Sequence, residues 1–249
     1  MSDPRAAAPI LLSIETCSSA GSVALGRLDS AEESVEILEI AEFAGRTHSA
    51  HLIPKIGQLL AAQKVKLSDL QAIVVVRGPG SFTGIRVGLS TAKGLAEAAK
   101  VPIIAISRLA LLASVSGLPH VLAVIPAGRE EYYAGEYQEG RMLRESLLSG
   151  EETKAAAMQP DAGVLVCEEA ANLVESETLQ TLFTESPPVY VTAPDAADAL
   201  NFALGRFRAR IFDDVETLDA NYLRRSDAEI FGAPDATDKK GLGSPSNQR

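Results

Sequence analysis

Cysteine is scarce in this chain. Cys17 and Cys167 are the only two, 150 positions apart and without metal or redox spacing. A disulfide framework is therefore excluded, and a reducing, cytoplasmic compartment is expected. No apolar run approaches the length that spans a bilayer, and the opening MSDPRAAAP lacks the apolar core of a signal peptide, so no membrane association is expected. Positive charge is also short: 23 basic residues face 33 acidic ones, a formal charge of −10. Such a molecule repels polyphosphate unless cations gather on one face, which argues against nucleic acid being held by this chain alone. The catalytic signatures GxSxG and HExxH are missing, as is a cysteine with a partnered histidine motif.

What remains is a 249-residue chain whose 46% apolar content suffices for a real core. Its organising stretch is AIVVVRGPGSFTGIRVGLSTAKGLAEAAK, from Ala72 to Lys100. The β-branched run Ala72 to Val76 reads as a buried strand, the glycines end it, and helical spacing begins at Thr83. Glycines allow a tight turn and close approach, and free N–H groups at a helix start favour an anion. Gly78, Gly80, Ser81 and Gly84 thus make either a phosphate loop, vestigial or working, or a tight βα connection that binds nothing. The loop is not a Walker motif, because Ile85 and Arg86 follow Gly84, and its third glycine falls one place late for a dinucleotide fingerprint.

Strands are expected at Ile10 to Cys17, Ser22 to Arg27 and within Val35 to Phe43, then a helix from His48 to about Gln63, the central strand and helix, and a strand over Val101 to Ile106. A helix near Ser107 to Ser116 follows. The pattern then begins again, with strands at Val121 to Pro126, Glu131 to Tyr137, Met142 to Leu148, Gly163 to Cys167 and Tyr190 to Thr192, and helices at Glu169 to Glu175 and Asp195 to Arg210. Two copies of one element order imply an α/β fold with mixed sheets flanked by helices, duplicated in the chain. The division expected is a flexible start over 1–9, a first half over 10–106, a second, degenerate half over 107–231 that includes the last helix, and a disordered tail over 232–249 with almost no apolar content.

Few side chains invite chemistry. His48 and His51 share a helix face, but no third ligand stands near, so no zinc site is expected. Glu15, closing the first strand, could meet a metal–phosphate group or a nucleophile, or bond local turn N–H groups; the local role is favoured. Arg86 and Lys93 lie along one side of the second helix as a solvated face or a contact surface. Arg129, Glu130 and Glu131 read as a water-facing loop.

Together, ILLSIETCSSAGSVAL, THSAHLIPKI, VVVRGPGSFTGIRVGLSTAKGLA, VPIIAISRL and the late NYLRRSDAE resemble the bacterial TsaB (YeaZ) proteins, densely from Ile10 to about Leu112 and thinly from there to Asn221. The resemblance implies two ribonuclease-H-like halves of the actin, Hsp70 and sugar-kinase superfamily. It also implies a non-catalytic partner of TsaD, the subunit that threonylcarbamoylates the adenosine beside the anticodon of tRNAs reading ANN codons. A TsaE-like ATPase would join the larger complex, and tRNA would be met only through it. TsaD-like sequences carry two metal-holding histidines after the fifth strand, where this chain has Arg108 and Leu112; neither can ligate a cation, so no metal and no cofactor are expected. Ala220 stands where a proline often precedes the NYLR-like segment. The rival readings are an ATP-dependent phosphotransferase of the actin-like superfamily, a metal-dependent glycoprotease, and a bare homodimeric module.

The second helix carries two stripes. Ile85, Leu89, Ala92 and Ala96 can face the sheet, while Val87, Thr91, Gly94 and Ala98 form a ridge of mostly small side chains. Glycine in mid-helix costs about 1 kcal/mol relative to alanine, so Gly94 implies a local reason, either close approach of another helix or close packing on the chain's own sheet. With His48, His51 and Lys55 of the first helix, this ridge is the expected docking face for a TsaD-like subunit, or for a second copy when TsaD is absent.

Overall fold

The computed structural model describes residues 8–29, 34–44, 48–169, 181 and 183–223. Strands β1 (Ile10–Glu15), β2 (Ala20–Leu28) and β3 (Val35–Ala44) precede helix α1 (His48–Ala62); β4 (Leu70–Val76), α2 (Phe82–Ala99) and β5 (Ile103–Ile106) complete the first sheet. Helix α3 (Arg108–Val115) leads to β6 (His120–Gly128), β7 (Glu131–Gln138), β8 (Arg141–Ser149), α4 (Gly150–Ala157), β9 (Val164–Glu168), β10 (Val189–Val191) and α5 (Ala196–Arg208). Each expected strand is present with shifted ends: β1 stops at Glu15 and β5 starts at Ile103, inside their expected bounds, while most of the others run one or two residues past theirs. The expected helix at Glu169 to Glu175 and the tail lie outside the described residues, apart from Glu169 itself.

The sheets run β3-β2-β1-β4-β5 and β8-β7-β6-β9-β10. In each, three strands pair antiparallel in succession and two more add in parallel to the first of them. The duplicated order read from the sequence is thus a duplicated topology.

Strand alternation divides the first core. Leu12, Ile14, Ile73 and Val75 face α1 and α2, meeting Leu52, Ile56, Leu59, Leu89, Ala92 and Ala96. Leu11, Val74 and Val76 face the other way, onto Ala199, Leu200, Ala203 and Phe207 of α5. A strand buried on both faces reads as a continuous apolar run, which is why AIVVV shows no alternation. Each fully buried aliphatic side chain there contributes roughly 1.5–3 kcal/mol.

One grouping by chain order is corrected. Helix α5 falls in the second half of the sequence yet packs on the first sheet, because its face of Ala196, Ala199, Leu200 and Ala203 matches the uncovered side of β1, β2 and β4. Helix α3 is the junction: Leu111 joins that same core, while Leu109, Leu112 and Ala113 pack on Val121, Ala123 and Val166 of the second sheet. The opposite face of the second sheet is closed by Ala157 of α4 and by Phe183. Helix α4 was not foreseen; its mark is the capping box in which Ser149 and Glu152 satisfy each other's backbone N–H groups.

Candidate functional site: the interlobe cleft and the α1–α2 face

The turn after β1 is built around Glu15, which is buried. Its Oε1 accepts the N–H groups of Cys17 at 2.7 Å and Ser18 at 3.1 Å, and its Oε2 accepts the Ser18 hydroxyl at 2.6 Å. The local turn role is therefore the one Glu15 fills. Burial raises its pKa, opposed by the Arg108 charge and by the bonds from Ser18 and Cys17. Cys17 is inert by the same logic: burial, then the Glu15 charge, push its thiol well up, and its Sγ–H points to the Val76 carbonyl at 3.1 Å.

Against this turn lies the glycine loop. Gly78 and Gly80 have φ of +98° and +150°. A Cβ on Gly80 would stand 2.4 Å from the Cys17 carbonyl oxygen and 3.0 Å from Arg108 Nη1. The Ser81 N–H donates to that Cys17 carbonyl at 2.8 Å, the Arg108 N–H donates to the Gly78 carbonyl at 2.8 Å, and the Ser81 hydroxyl caps α2 by accepting the Gly84 N–H at 3.2 Å. The loop is stitched to its own chain at both ends. Of its four singled-out residues, Gly80 and Ser81 line the cleft between the halves, while Gly78 and Gly84 are buried, the Gly84 carbonyl accepting the Thr16 hydroxyl at 2.8 Å.

The cleft has a volume of about 450 Å³, with Ser18, Ser19, Gly80 and Ser81 on one wall and Ile125, Pro126, Ala127 and Tyr133 on the other. Between them stands Arg108, 6% exposed. Its Nη2 donates to Glu168 Oε2 at 2.5 Å, at the end of β9, and its Nη1 to the Cys17 carbonyl at 3.3 Å. A guanidinium thus bridges the two halves, beside the carboxylates Glu15 and Glu168. Leu112, the other position compared with a metal ligand, is fully buried in the second core. Among the described residues no group of three His, Cys, Asp or Glu could hold a metal ion, and no helix is long and apolar enough to cross a membrane.

A second bridge lies at the same junction. Glu145 of β8 accepts from Ser107, which precedes α3, from Tyr137, and from Asn221 Nδ2 at 2.6 Å. The Asn221 N–H in turn donates to the Arg77 carbonyl at 2.8 Å, tying the late NYL segment to the end of β4. Reading the sequence missed Glu168, Glu145 and Asn221. For Glu168 a local signal exists, a carboxylate closing an apolar strand as Glu15 does.

On the outer face, α1 and α2 lie side by side. The stripe Ile85, Leu89, Ala92 and Ala96 is buried as expected, with Gly84 and Gly88 added to it. His48 opens α1, its side chain lying outside the described residues; His51 is exposed and Lys55 half-buried. Val87 and Thr91 are half-buried, and Gly94 and Ala98 are exposed. A Cβ on Gly94 would meet nothing within 4 Å among the described residues, whereas one on Gly88 would stand 2.1 Å from Thr16 Oγ1. Close packing of α2 on its own sheet is therefore the business of Gly88, and Gly94 lies over open space.

The family model described as TsaD, tRNA N6-adenosine threonylcarbamoyltransferase, matches residues 40–197. The tRNA threonylcarbamoyladenosine biosynthesis protein TsaB of Escherichia coli is 35% identical over 58% of this chain and 61% of its own length. The TsaB of Buchnera aphidicola from Acyrthosiphon pisum is 28% identical over 86% of this chain and 97% of its own length. The chain spans only 51% of the Haemophilus influenzae TsaB that it matches at 40% identity. Among solved structures, a Pseudomonas aeruginosa protein described as similar to peptidase YEAZ superposes with a TM-score of 0.69 at 31% identity, covering 87% of this chain and all of that one. With a TsaD model over more than half its length, a TsaB relative along 86% of it and a YeaZ-like fold at 31% identity, the chain belongs to the TsaB (YeaZ) branch of the TsaD family.

Proposed function

We propose that the chain is a non-catalytic subunit that docks onto a TsaD-like threonylcarbamoyltransferase and is required for threonylcarbamoyladenosine formation in tRNA. The observation that carries this reading is the Arg108–Glu168 pair: a guanidinium, which cannot ligate a cation, is tied to both halves at one of the two positions where the TsaD resemblance implies a metal-holding histidine. The names of the TsaB relatives support the pathway, and the TsaD family model supports kinship with the catalytic subunit. Docking uses His48, His51 and Lys55 of α1 with Val87, Thr91, Gly94 and Ala98 of α2, a face whose glycine serves no packing need among the described residues. A TsaE-like ATPase joins the assembly, tRNA is met through the complex, and a second copy of the chain covers the same face when TsaD is absent.

The test is Thr91→Arg. The substitution places a long charged side chain in the ridge while leaving Leu89 and Ala92 in the core. The folded variant should lose co-purification with the TsaD-like subunit and fail to support threonylcarbamoyladenosine formation in a reconstituted reaction. Unchanged affinity would move the docking face elsewhere.

A further inference from the structure

Arg86 stands in an unusual setting for a surface arginine. Its guanidinium carbon lies 3.7 Å from the ring centroid of Phe82, one turn earlier on α2, and 5.8 Å from that of Tyr222. Its Nε–H donates to the Tyr222 hydroxyl at 2.9 Å, and the two rings are 5.7 Å apart. Yet Phe82 is 50% exposed and Tyr222 42%. Single exposed aromatics are ordinary; two rings clamping a cation form an ordered patch with apolar faces still in water.

Among the described residues Arg86, like Arg141 and Arg210, meets no carboxylate, whereas Arg27, Arg108, Arg144 and Arg206 each do; what sets Arg86 apart is the pair of rings that holds it. With Nε given to Tyr222, the two Nη groups retain four N–H donors in a planar fork that matches a carboxylate bidentately. The stacking fixes the fork in advance, so little rotamer freedom remains to be lost on binding, and arginine beside aromatic rings is the composition of interface anchors.

A nucleic-acid phosphate fits the patch less well. The chain carries a net charge of −10. Along α2 the next cation is Lys93, two turns on and half-buried, followed by the exposed Glu97. A phosphate backbone needs several cations in a row. One pre-set fork suits one carboxylate side chain, and on α2 it flanks the ridge that holds Val87 and Thr91.

We propose that Phe82, Arg86 and Tyr222 form an anchor that receives a carboxylate side chain of the protein subunit docked on α1 and α2. The proposal rests on the docking reading above and adds the chemistry of the partner's contact. The experiment is calorimetric titration of the full chain with the TsaD-like subunit between 50 and 300 mM NaCl, for wild type, Arg86→Gln, Arg86→Lys, Tyr222→Ala and Thr91→Arg, each first checked for folding by circular dichroism. Arg86→Gln should weaken binding about 10-fold at low salt and flatten its salt dependence; Arg86→Lys should recover part of the loss, since charge returns without the fork. Tyr222→Ala should weaken binding several-fold by freeing the guanidinium. If Thr91→Arg abolishes binding while Arg86→Gln changes neither affinity nor salt dependence, the anchor is wrong and the docking reading stands. If Thr91→Arg is silent and Arg86→Gln weakens binding, the docking ridge fails and the anchor stands. If Arg86→Gln leaves subunit binding intact but lowers tRNA retention by the complex, the occupant is nucleic acid and the proposal is overturned.

Discussion

Gly88 and Thr16 are in such close contact that a single methyl group on the helix would stand 2.1 Å from the threonine hydroxyl. That hydroxyl donates to the Gly84 carbonyl at 2.8 Å and cannot swing aside without losing its bond. Gly88→Ala should therefore destabilise the chain by about 2 kcal/mol through overpacking, read as a lower urea midpoint at unchanged slope. Gly94→Ala, in the same helix but over open space, should stabilise the isolated chain by up to about 1 kcal/mol. The two glycines then move the midpoint in opposite directions; a shift of the same sign for both would refute this account of the helix.

The pair formed by buried Arg108 and partly buried Glu168 bridges the two halves. Arg108→Met leaves Glu168 without its cation beside a buried Glu15 and should cost about 3 kcal/mol. Adding Glu168→Met should recover part of that loss, because the second change removes the stranded charge. The check is a double-mutant cycle by chemical denaturation; additive losses would mean that the two side chains are not coupled.

Stability should also carry a pH signature from Glu15. Burial holds its folded pKa above the ordinary 4.5, so within the window between the two values the folded chain keeps a proton that the unfolded chain has released. The contribution of this group is complete below 4.5 and is lost as pH rises through the folded value. Glu15→Gln keeps an oxygen for the N–H groups of Cys17 and Ser18 and removes the titration. Its Tm should gain on wild type as pH climbs from 4 to 8 in a thermal-shift series; a gain by wild type over the same range would reverse the sign assigned here.

The elements of this fold were legible where one local pattern sufficed. The β-branched run Ala72 to Val76 reads as a buried strand, and the stripe of Ile85, Leu89, Ala92 and Ala96 gave the buried side of α2. Helix α4 escaped notice because only Thr153 and Ala157 of its eight residues are buried, leaving no apolar period to read. Gly88 and Gly94 have the same local signature, and only the neighbour across the sheet, Thr16, tells the packing glycine from the open one. The long-range polar contacts were invisible for the same reason. Arg108 meets a carboxylate 60 positions away, and Asn221 meets one 76 positions away, distances over which periodicity carries no information. Arg108 was singled out as a departure from a metal ligand, but nothing in the sequence said what it would do instead.

The placement of α5 has a consequence for how the chain is made. When residues 10–106 have left the ribosome, all five strands of the first sheet exist, with α1 and α2 to cover one side. The side formed by Leu11, Ala24, Leu28, Ala72, Val74 and Val76 meets Leu111 of α3 early but lacks its main cover until Ala196 to Phe207 are synthesised, roughly ninety residues and several seconds later. The nascent first half is thus a sheet with one bare apolar face. The contacts that finally close it join segments far apart in sequence, so the last of the described helices completes the first core to begin.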